Sequence, residues 1–206
     1  MCTVYFDVDT QIDFVLPAGS LYVRGAECLL PVVARLHEFA ASRGVLVFST
    51  VSAHCENDAE FSDYPAHCVR GTAGQRKPDC TRLSSVATLP EGPAMPPRLG
   101  GVQQVLVEKS SVDCFTNRNL TRLLASLGVS HCVVYGVATE VAVRHAALGL
   151  LRLGYRVTLV ADAIQGISQP IVRRTLADFQ NQGGALLEST ALMLSDQPPM
   201  YGTTVR

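Results

Sequence analysis

The chain has 206 residues, of which 48% are apolar and 17% charged, and its formal net charge is −1. This composition is typical of a soluble protein with a well-filled core, so we expect a single domain over residues 1–206. A nucleic-acid partner is not expected, because the sequence has neither a basic stripe nor the aromatic surplus that binds polynucleotides. The expected partner is a small molecule.

The beginning of the chain favours a cytoplasmic protein without a membrane partner. Residues 1–7 contain no basic start and no long apolar run, and no stretch is long enough to span a bilayer. The seven cysteines are irregularly spaced and include no Cys-x-x-Cys pair. We therefore expect reduced thiols rather than a disulfide framework or a closed zinc knuckle.

Short apolar segments alternate with segments of helical periodicity along the chain. The apolar segments predict strands at Val4–Val8, Val45–Val51, Val105–Val107, Cys132–Tyr135, Val157–Val160 and Ala185–Leu187. Helical spacing, ended in each case by a glycine, predicts helices at Glu27–Arg43, Asn119–Leu127, Thr139–Leu153 and Ile171–Gln182. Such alternation indicates a three-layer αβα, Rossmann-like fold with a mainly parallel sheet and right-handed crossovers.

One long segment, Ser52–Gly101, contains glycines and prolines and shows little periodicity. In a compact domain such a segment usually carries function, so we expect it to contribute to a binding site.

Polar residues follow the predicted strands, and ligands bind at the carboxyl ends of the strands in sheets of this kind. We expect the following residues to converge on one edge: Asp9, Ser52, His54, Glu108, Lys109, the segment Gly136–Glu140 and Asp162. There the Asp9 carboxylate and the Lys109 ammonium can pair, each keeping the other charged, while a substrate lies between them. Taken alone, two such residues favour a structural ion pair.

Four segments, in order along most of the chain, resemble the isochorismatase-like cysteine hydrolases, especially nicotinamidases and related amidases. Val8–Phe14 is similar to the family's Asp-x-Gln-x-Asp-Phe, and Val107–Ser110 carries a lysine after a strand. Tyr64–Gly74 is similar to Trp-Pro-x-His-Cys-Val-x-Gly-Thr-x-Gly of nicotinamidases. Tyr135–Val143 is similar to Gly-Val-x-Thr-Asp/Glu-x-Cys-Val, but Ala142 stands where the family has its nucleophilic cysteine.

The resemblance implies a Cys-Asp-Lys triad that hydrolyses an amide to a carboxylic acid and ammonia. Asp9 matches the residue that takes the thiol proton and passes it to the departing amine, and Lys109 matches the lysine that holds this aspartate. The backbone amides of Ala138 and Ala142 match the oxyanion hole, and the resemblance implies a cis peptide between Val137 and Ala138. Without the family, the same turn is an ordinary helix start that Thr139 can cap.

Family members generally also hold a divalent ion with an Asp-x-His pair, a later histidine and, in some, a glutamate between them. By resemblance, His54, Glu60 and His67 form a candidate site for zinc, iron or manganese, although Ser52 replaces the expected aspartate. Alternatively, the two histidines only line the pocket and hydrogen-bond the substrate or the backbone. No organic cofactor is expected.

The residues that match the substrate pocket are Phe14, Tyr64 and Val137, and the two rings can equally be core packing. Nicotinamide is the first expected substrate, while other small carboxamides, ureido compounds and N-carbamoyl acids stay open. Relatives are commonly dimers or tetramers, so the resemblance implies a homo-oligomer.

Ala142 has two explanations. If it replaces a natural cysteine, the chain is the inert form of an amidase, which the Ala138-Thr139-Glu140 turn favours. If it is natural, the protein is a ligand-binding pseudoenzyme or an isochorismatase-type hydrolase. The latter cleaves a vinyl ether with the aspartate and lysine but without a thiol.

Overall fold

The computed structural model describes residues 2–93 and 97–194, and its centre is a seven-stranded parallel sheet. The strands are β1 (Cys2–Val8), β2 (Val47–Ser52), β3 (Val86–Leu89), β4 (Gln104–Lys109), β5 (Val129–Val137), β6 (Arg156–Gln165) and β7 (Ala185–Leu187). Their order across the sheet is β3-β4-β2-β1-β5-β6-β7. The α/β class and the mainly parallel sheet expected from the sequence are confirmed.

Helices cover both faces of this sheet. They are α1 (Ile12–Val15), α2 (Leu30–Ser42), α3 (Arg118–Ser126), α4 (Arg144–Arg152), α5 (Gln169–Asn181) and α6 (Ser189–Leu194). Short 3₁₀ turns occur at Ala26–Leu29, Ala59–Ser62, Asp79–Thr81 and Cys114–Thr116, and a π-helical turn at Thr139–Val143. Among residues 2–93 and 97–194, no helix combines the length and the apolar character that a membrane crossing requires.

The core is divided by the sheet into two apolar layers. On one face, the stacked rings of Phe6 and Phe48 belong to a cluster that includes buried residues of α3, α4 and α5. On the other face, Tyr5 and Tyr135 pack with residues of α2 and α6. Strands covered on both faces account for the nearly continuous apolar runs in the sequence.

The prediction for Ser52–Gly101 was wrong in one respect, because this segment contains β3. That strand is only four residues long, lies at the edge of the sheet and has one fully buried residue. So short and exposed a strand leaves no detectable alternation. The helix predicted at Thr139–Leu153 is also different, since it begins with the π-helical turn and continues as α4.

Glycine at position 136 allows β5 to approach β1 closely. Gly136 pairs with Val8 in the register of the two strands, and its φ is +123°. A Cβ atom at this position would lie 2.1 Å from the carbonyl oxygen of Val8, where no side chain fits. The turn after β5 is therefore held beside the residue that follows β1, Asp9.

A buried ion pair lies near the carboxyl end of β1. Lys77 Nζ is 2.5 Å from Asp7 Oδ2, and it also donates to the Thr10 hydroxyl. The hydroxyls of Ser49 and Thr10 each donate to the Asp7 carboxylate at 2.9 Å, while His37 Nε2 makes a longer contact of 3.4 Å. Burial alone raises the pKa of Asp7, but the charge and hydrogen bond of Lys77, together with the nearby His37, outweigh it and hold this pKa well below its usual range.

We expect Lys77→Met to lower the free energy of unfolding by about 3–5 kcal/mol, because it leaves the Asp7 carboxylate buried without a counter-charge. Urea denaturation followed by circular dichroism measures this loss. The control is Arg76→Met at the neighbouring exposed position, which should change stability by less than about 0.5 kcal/mol. The double variant Asp7→Asn/Lys77→Met should recover part of the loss. Equal effects of Lys77→Met and Arg76→Met would contradict the stabilising role of the pair.

Candidate active site

A pocket of about 190 Å³ lies at the carboxyl ends of the central strands. Nine of the ten residues predicted from the sequence as catalytic, oxyanion-hole, substrate or metal residues line it: Asp9, Phe14, Glu60, Tyr64, His67, Lys109, Val137, Ala138 and Ala142. The tenth, His54, has its ring centroid 4.7 Å from that of His67. Residues that follow β1, β4 and β5 and residues of the long segment after β2 therefore meet in one place.

The pocket also has apolar walls that the sequence reasoning missed. They are formed by Leu21, Val23, Val112, Val141 and Ile167. The rule that ligands bind at the carboxyl ends of the strands could have identified Val112 and Ile167, which follow β4 and β6 within three residues. Leu21 and Val23 lie in an irregular loop, where no periodic signal marks them.

Asp9 and Lys109 form an ion pair inside this pocket. Lys109 Nζ is 2.8 Å from Asp9 Oδ2, and the Thr50 hydroxyl donates to Asp9 Oδ1 at 2.6 Å. Asp9 and Lys109 are only 4% and 1% exposed, so water screens their interaction little. Because both oxygens of the carboxylate have partners, its orientation is fixed. Asp9 itself has a φ of +52°, in the left-handed region that few residues other than glycine adopt.

Ser52 belongs to this ion pair rather than to the candidate metal cluster. Its hydroxyl oxygen accepts a hydrogen bond from Lys109 Nζ at 3.0 Å. The family's aspartate would bring a second carboxylate to this position, whereas the serine brings a neutral acceptor. The lysine therefore has two oxygen partners, one from Asp9 directly after β1 and one from Ser52 at the end of β2, and a proton that remains available to a ligand.

The turn after β5 brings residue 142 to the pocket. The peptide between Val137 and Ala138 is cis, as the resemblance implied. The Ala138 carbonyl then accepts from the amides of Val141 and Val143 at 3.0 and 3.2 Å, which closes the π-helical turn. Ala142 is buried and lies in this first turn. Backbone N–H groups at such a helix start favour negative charge nearby.

The long segment after β2 is fastened to the turn that carries Asp9. The Gln11 amide nitrogen donates to the carbonyl oxygens of Ser52 and Gln75 at 2.8 and 2.7 Å. The Asp13 carboxylate accepts from the Cys68 amide at 2.7 Å. These contacts bring the loop residues that line the pocket next to Asp9.

Three potential ligand atoms, one each from His54, Glu60 and His67, lie within 4.8 Å of one another. His54 Nδ1 is 3.0 Å from Asp58 Oδ2, and His67 Nδ1 is 2.9 Å from the Pro65 carbonyl oxygen. Both partners are acceptors, which assigns the proton to Nδ1 and leaves each Nε2 lone pair for a cation. Two ligands of a first-row ion are at most about 4.2 Å apart, so the three side chains would have to close slightly to hold one. With that movement the three residues fit a divalent metal.

Glu140 positions one wall of the pocket. Its Oε1 atom accepts from the amides of Ile167 and Ser168 at 2.9 and 2.7 Å. A Cβ atom at Gly166 would lie 2.4 Å from Glu140 Oε2, so the segment after β6 packs directly on this carboxylate. Ile167 lines the pocket although it is 71% exposed, and Glu140 therefore holds it in place.

Glu108 and Asp162 are among the expected strand-end residues that do not line the pocket. Glu108 pairs with Arg70 at 2.8 Å, and the Asp162 carboxylate accepts from the amide and the hydroxyl of Ser189 at 2.7 and 2.5 Å. Glu108 does lie at the carboxyl end of β4, as expected, but Asp162 does not lie at the end of its strand. In the case of Asp162 the reason is that β6 continues three residues further, to Gln165.

A small pocket with an ion-paired carboxylate, at the carboxyl edge of a parallel sheet, is typical of enzymes that act on small molecules. The sequence matches the isochorismatase domain over residues 3–191. The chain therefore belongs to the isochorismatase family, as the four segments indicated.

Known members of this fold and family include hydrolases of amides. The chain is 24% identical over 191 residues to a probable inactive nicotinamidase of Arabidopsis thaliana, covering 88% of this chain and 89% of that protein. It is 24% identical over 183 residues to the nicotinamidase of Escherichia coli, covering 78% and 82%. The zinc complex of the pyrazinamidase of Pyrococcus horikoshii superposes with a TM-score of 0.75 at 26% identity, covering 91% and 99% of the two chains.

We expect Glu140→Ala to release the segment that carries Ile167, because two backbone donors lose their acceptor. The free energy of unfolding should fall by about 1–3 kcal/mol. The amide hydrogens of Ile167 and Ser168 should exchange faster, which NMR detects residue by residue. Glu38→Ala, at an exposed position of α2, is the matched control and should change neither quantity. Unchanged exchange in Glu140→Ala would show that Glu140 does not hold this wall.

Proposed function

We propose that the protein binds a small neutral carboxamide and is a nicotinamidase-like amidohydrolase that lacks its nucleophile. The observation that carries this proposal is the position of Ala142, which lines the same pocket as the Asp9–Lys109 pair and lies in the first turn of a helix. A thiol at this position would face both a proton acceptor and the donors of an oxyanion hole. With alanine the pocket retains its binding and proton-transfer groups.

In a form with cysteine at position 142, Asp9 takes the thiol proton and the thiolate attacks the amide carbonyl carbon. The backbone amides of residues 138 and 142 donate to the oxyanion. Asp9 then protonates the departing nitrogen, the C–N bond breaks and ammonia leaves. Water cleaves the resulting thioester to the carboxylic acid and the free thiol, while Lys109 keeps the aspartate oriented.

The pocket favours a small and uncharged substrate. Its volume of about 190 Å³ is below the range of drug-sized sites. Among the described residues of the lining, Lys109 is the only lysine or arginine, and it is already paired with Asp9. Isochorismate and N-carbamoyl acids carry carboxylates, and the described part of the lining offers these no unpaired lysine or arginine. The rings of Phe14 and Tyr64 and the apolar walls suit an aromatic carboxamide such as nicotinamide.

His54, Glu60 and His67 are the residues that would hold zinc, iron or manganese. The fit of their lone pairs and the zinc complex of the pyrazinamidase support this part of the proposal. When bound, such an ion supplies a Lewis-acid position at the pocket wall. The single domain over residues 1–206, the cytoplasmic location and the homo-oligomer stay predictions.

A ligand-binding protein without turnover is the second candidate. The similarity to a relative described as a probable inactive nicotinamidase supports it. An isochorismatase-type hydrolase that works without a thiol is a weaker alternative, because the described pocket residues include no unpaired lysine or arginine for its anionic substrate.

We expect Ala142→Cys to release ammonia from nicotinamide or another small carboxamide, and the chain with Ala142 to release none. The measurement is a coupled ammonia assay under reducing conditions, with and without added Mn²⁺. The double variant Ala142→Cys/Asp9→Asn is the control for the seven other thiols and should be inactive, because no carboxylate then takes the proton.

Calorimetry with the unmodified chain separates the two candidates from a wrong pocket assignment. Binding of a carboxamide without turnover in either form would favour the ligand-binding protein. Turnover of isochorismate by the unmodified chain would contradict the proposal. Activity that survives Asp9→Asn would contradict the assigned site.

A further inference from the structure

We propose that Asp58 is a positioning residue that orients two of the three candidate metal ligands, His54 and Glu60, through one carboxylate. This inference rests on the metal site of the proposed function. Asp58 is not one of the three clustered residues, and nothing in its sequence position marks it among the acidic residues of the long segment.

The two oxygens of Asp58 have different partners. Oδ2 lies 3.0 Å from His54 Nδ1, and Oδ1 accepts from the backbone amide of Glu60 at 3.0 Å. Asp58 is the N-cap of the 3₁₀ turn Ala59–Ser62, and its own amide donates to the Cys55 carbonyl at 3.2 Å. The carboxylate is thus fixed between a histidine ring on one side and the turn that carries Glu60 on the other.

The ring of His54 depends on this contact for its orientation. Its centroid is 5.4 Å from the Phe61 ring and 4.7 Å from the His67 ring. Such packing restricts the plane of the imidazole but does not distinguish its two nitrogens. The hydrogen bond from Nδ1 to Asp58 makes this distinction, because it places the proton on Nδ1 and leaves Nε2 basic.

The contact with Glu60 acts on the backbone instead of the side chain. An oxygen that accepts from the second residue of a helical turn fixes the start of that turn. Glu60 lies 3.9 Å from His67 Nε2 through its Oε1 atom, so the position of this turn sets the distance between two ligands. One carboxylate therefore couples the tautomer of His54 to the placement of Glu60.

Three variants separate these effects. Asp58→Asn cannot offer acceptors to both partners, because only one of its two terminal atoms is an oxygen. Asp58→Ser keeps a capping oxygen for the Glu60 amide but is too short to reach the imidazole, so it retains the turn. Asp63→Asn is the matched control, since it removes the same charge at the other, exposed end of the 3₁₀ turn.

The first measurement is the affinity of the chain for Mn²⁺ by calorimetry, under reducing conditions. Mn²⁺ is chosen because thiolates select zinc, and the chain has seven cysteines. We expect Asp58→Asn and Asp58→Ser to bind Mn²⁺ about 10–100-fold more weakly, and Asp63→Asn to stay within about twofold of the unmodified chain. Equal affinities in all four proteins would overturn the proposal.

The second measurement is made without metal, so it does not depend on the proposed metal site. Long-range ¹H–¹⁵N NMR of the imidazoles reports the tautomer of each histidine. We expect His54 to be protonated on Nδ1 in the unmodified chain and in Asp63→Asn, and to change tautomer in Asp58→Ser. A tautomer that is the same in all three would overturn the positioning role.

His54→Gln distinguishes a failure of the metal site from a failure of this inference. If His54→Gln binds Mn²⁺ as tightly as the unmodified chain, the candidate metal site is wrong, and the tautomer measurement alone decides the role of Asp58. If His54→Gln loses affinity and Asp58→Ser does not, the metal site stands and the positioning role is contradicted.

Discussion

The arrangement of the site depends on one buried ion pair, that of Asp7 and Lys77. Asp7 is part of β1, whereas Lys77 stands 25 residues after the end of β2 at Ser52, so the pair closes a long loop against the central strand. All the residues of the candidate metal cluster lie inside that loop. A charge buried without its partner is costly, so the loop has one favourable position relative to β1. Asp9 lies two residues after Asp7, directly after the end of β1. The loop is therefore fixed beside Asp9.

Hydrogen bonds from Gln11 and Asp13 further fix the loop that the ion pair closes. Gln11 bonds the loop at both of its ends, through the carbonyls of Ser52 and Gln75, and Asp13 accepts from the Cys68 amide in its middle. Gln11 and Asp13 stand two and four residues after Asp9, the candidate proton acceptor. A single turn of the chain thus carries the candidate proton acceptor and the anchors of the loop that faces it. The chemistry and its scaffold are encoded in the same few residues.

An alanine at position 142 is compatible with the rest of the pocket, for a physical reason. The fold is stabilised by the two apolar layers and by the buried Asp7–Lys77 ion pair. Residue 142 contributes only a small side chain to one of the apolar layers. Two buried thiols elsewhere in the chain, those of Cys68 and Cys114, do not take the place of a thiol at position 142. Burial raises the pKa of both Cys68 and Cys114, so neither forms a thiolate readily, and neither lines the pocket among the residues that the structure describes. The Asp9–Lys109 pair therefore lies in a pocket whose described lining contains no cysteine.

The sequence by itself determined the fold class, most strands and helices, and ten candidate residues, nine of which line one pocket. Periodicity and the order of apolar segments are local properties, and strand ends follow directly from them. The sequence could not reveal β3, because the four residues of this edge strand show no pattern. It also could not reveal the Asp7–Lys77 pair, because the two residues are 70 positions apart. Only the tertiary structure decided that Ser52 joins Lys109, that Glu140 holds Ile167, and that Asp58 contacts His54 and Glu60. Such contacts depend on how the loops fold over the strand ends, and no local spacing specifies that.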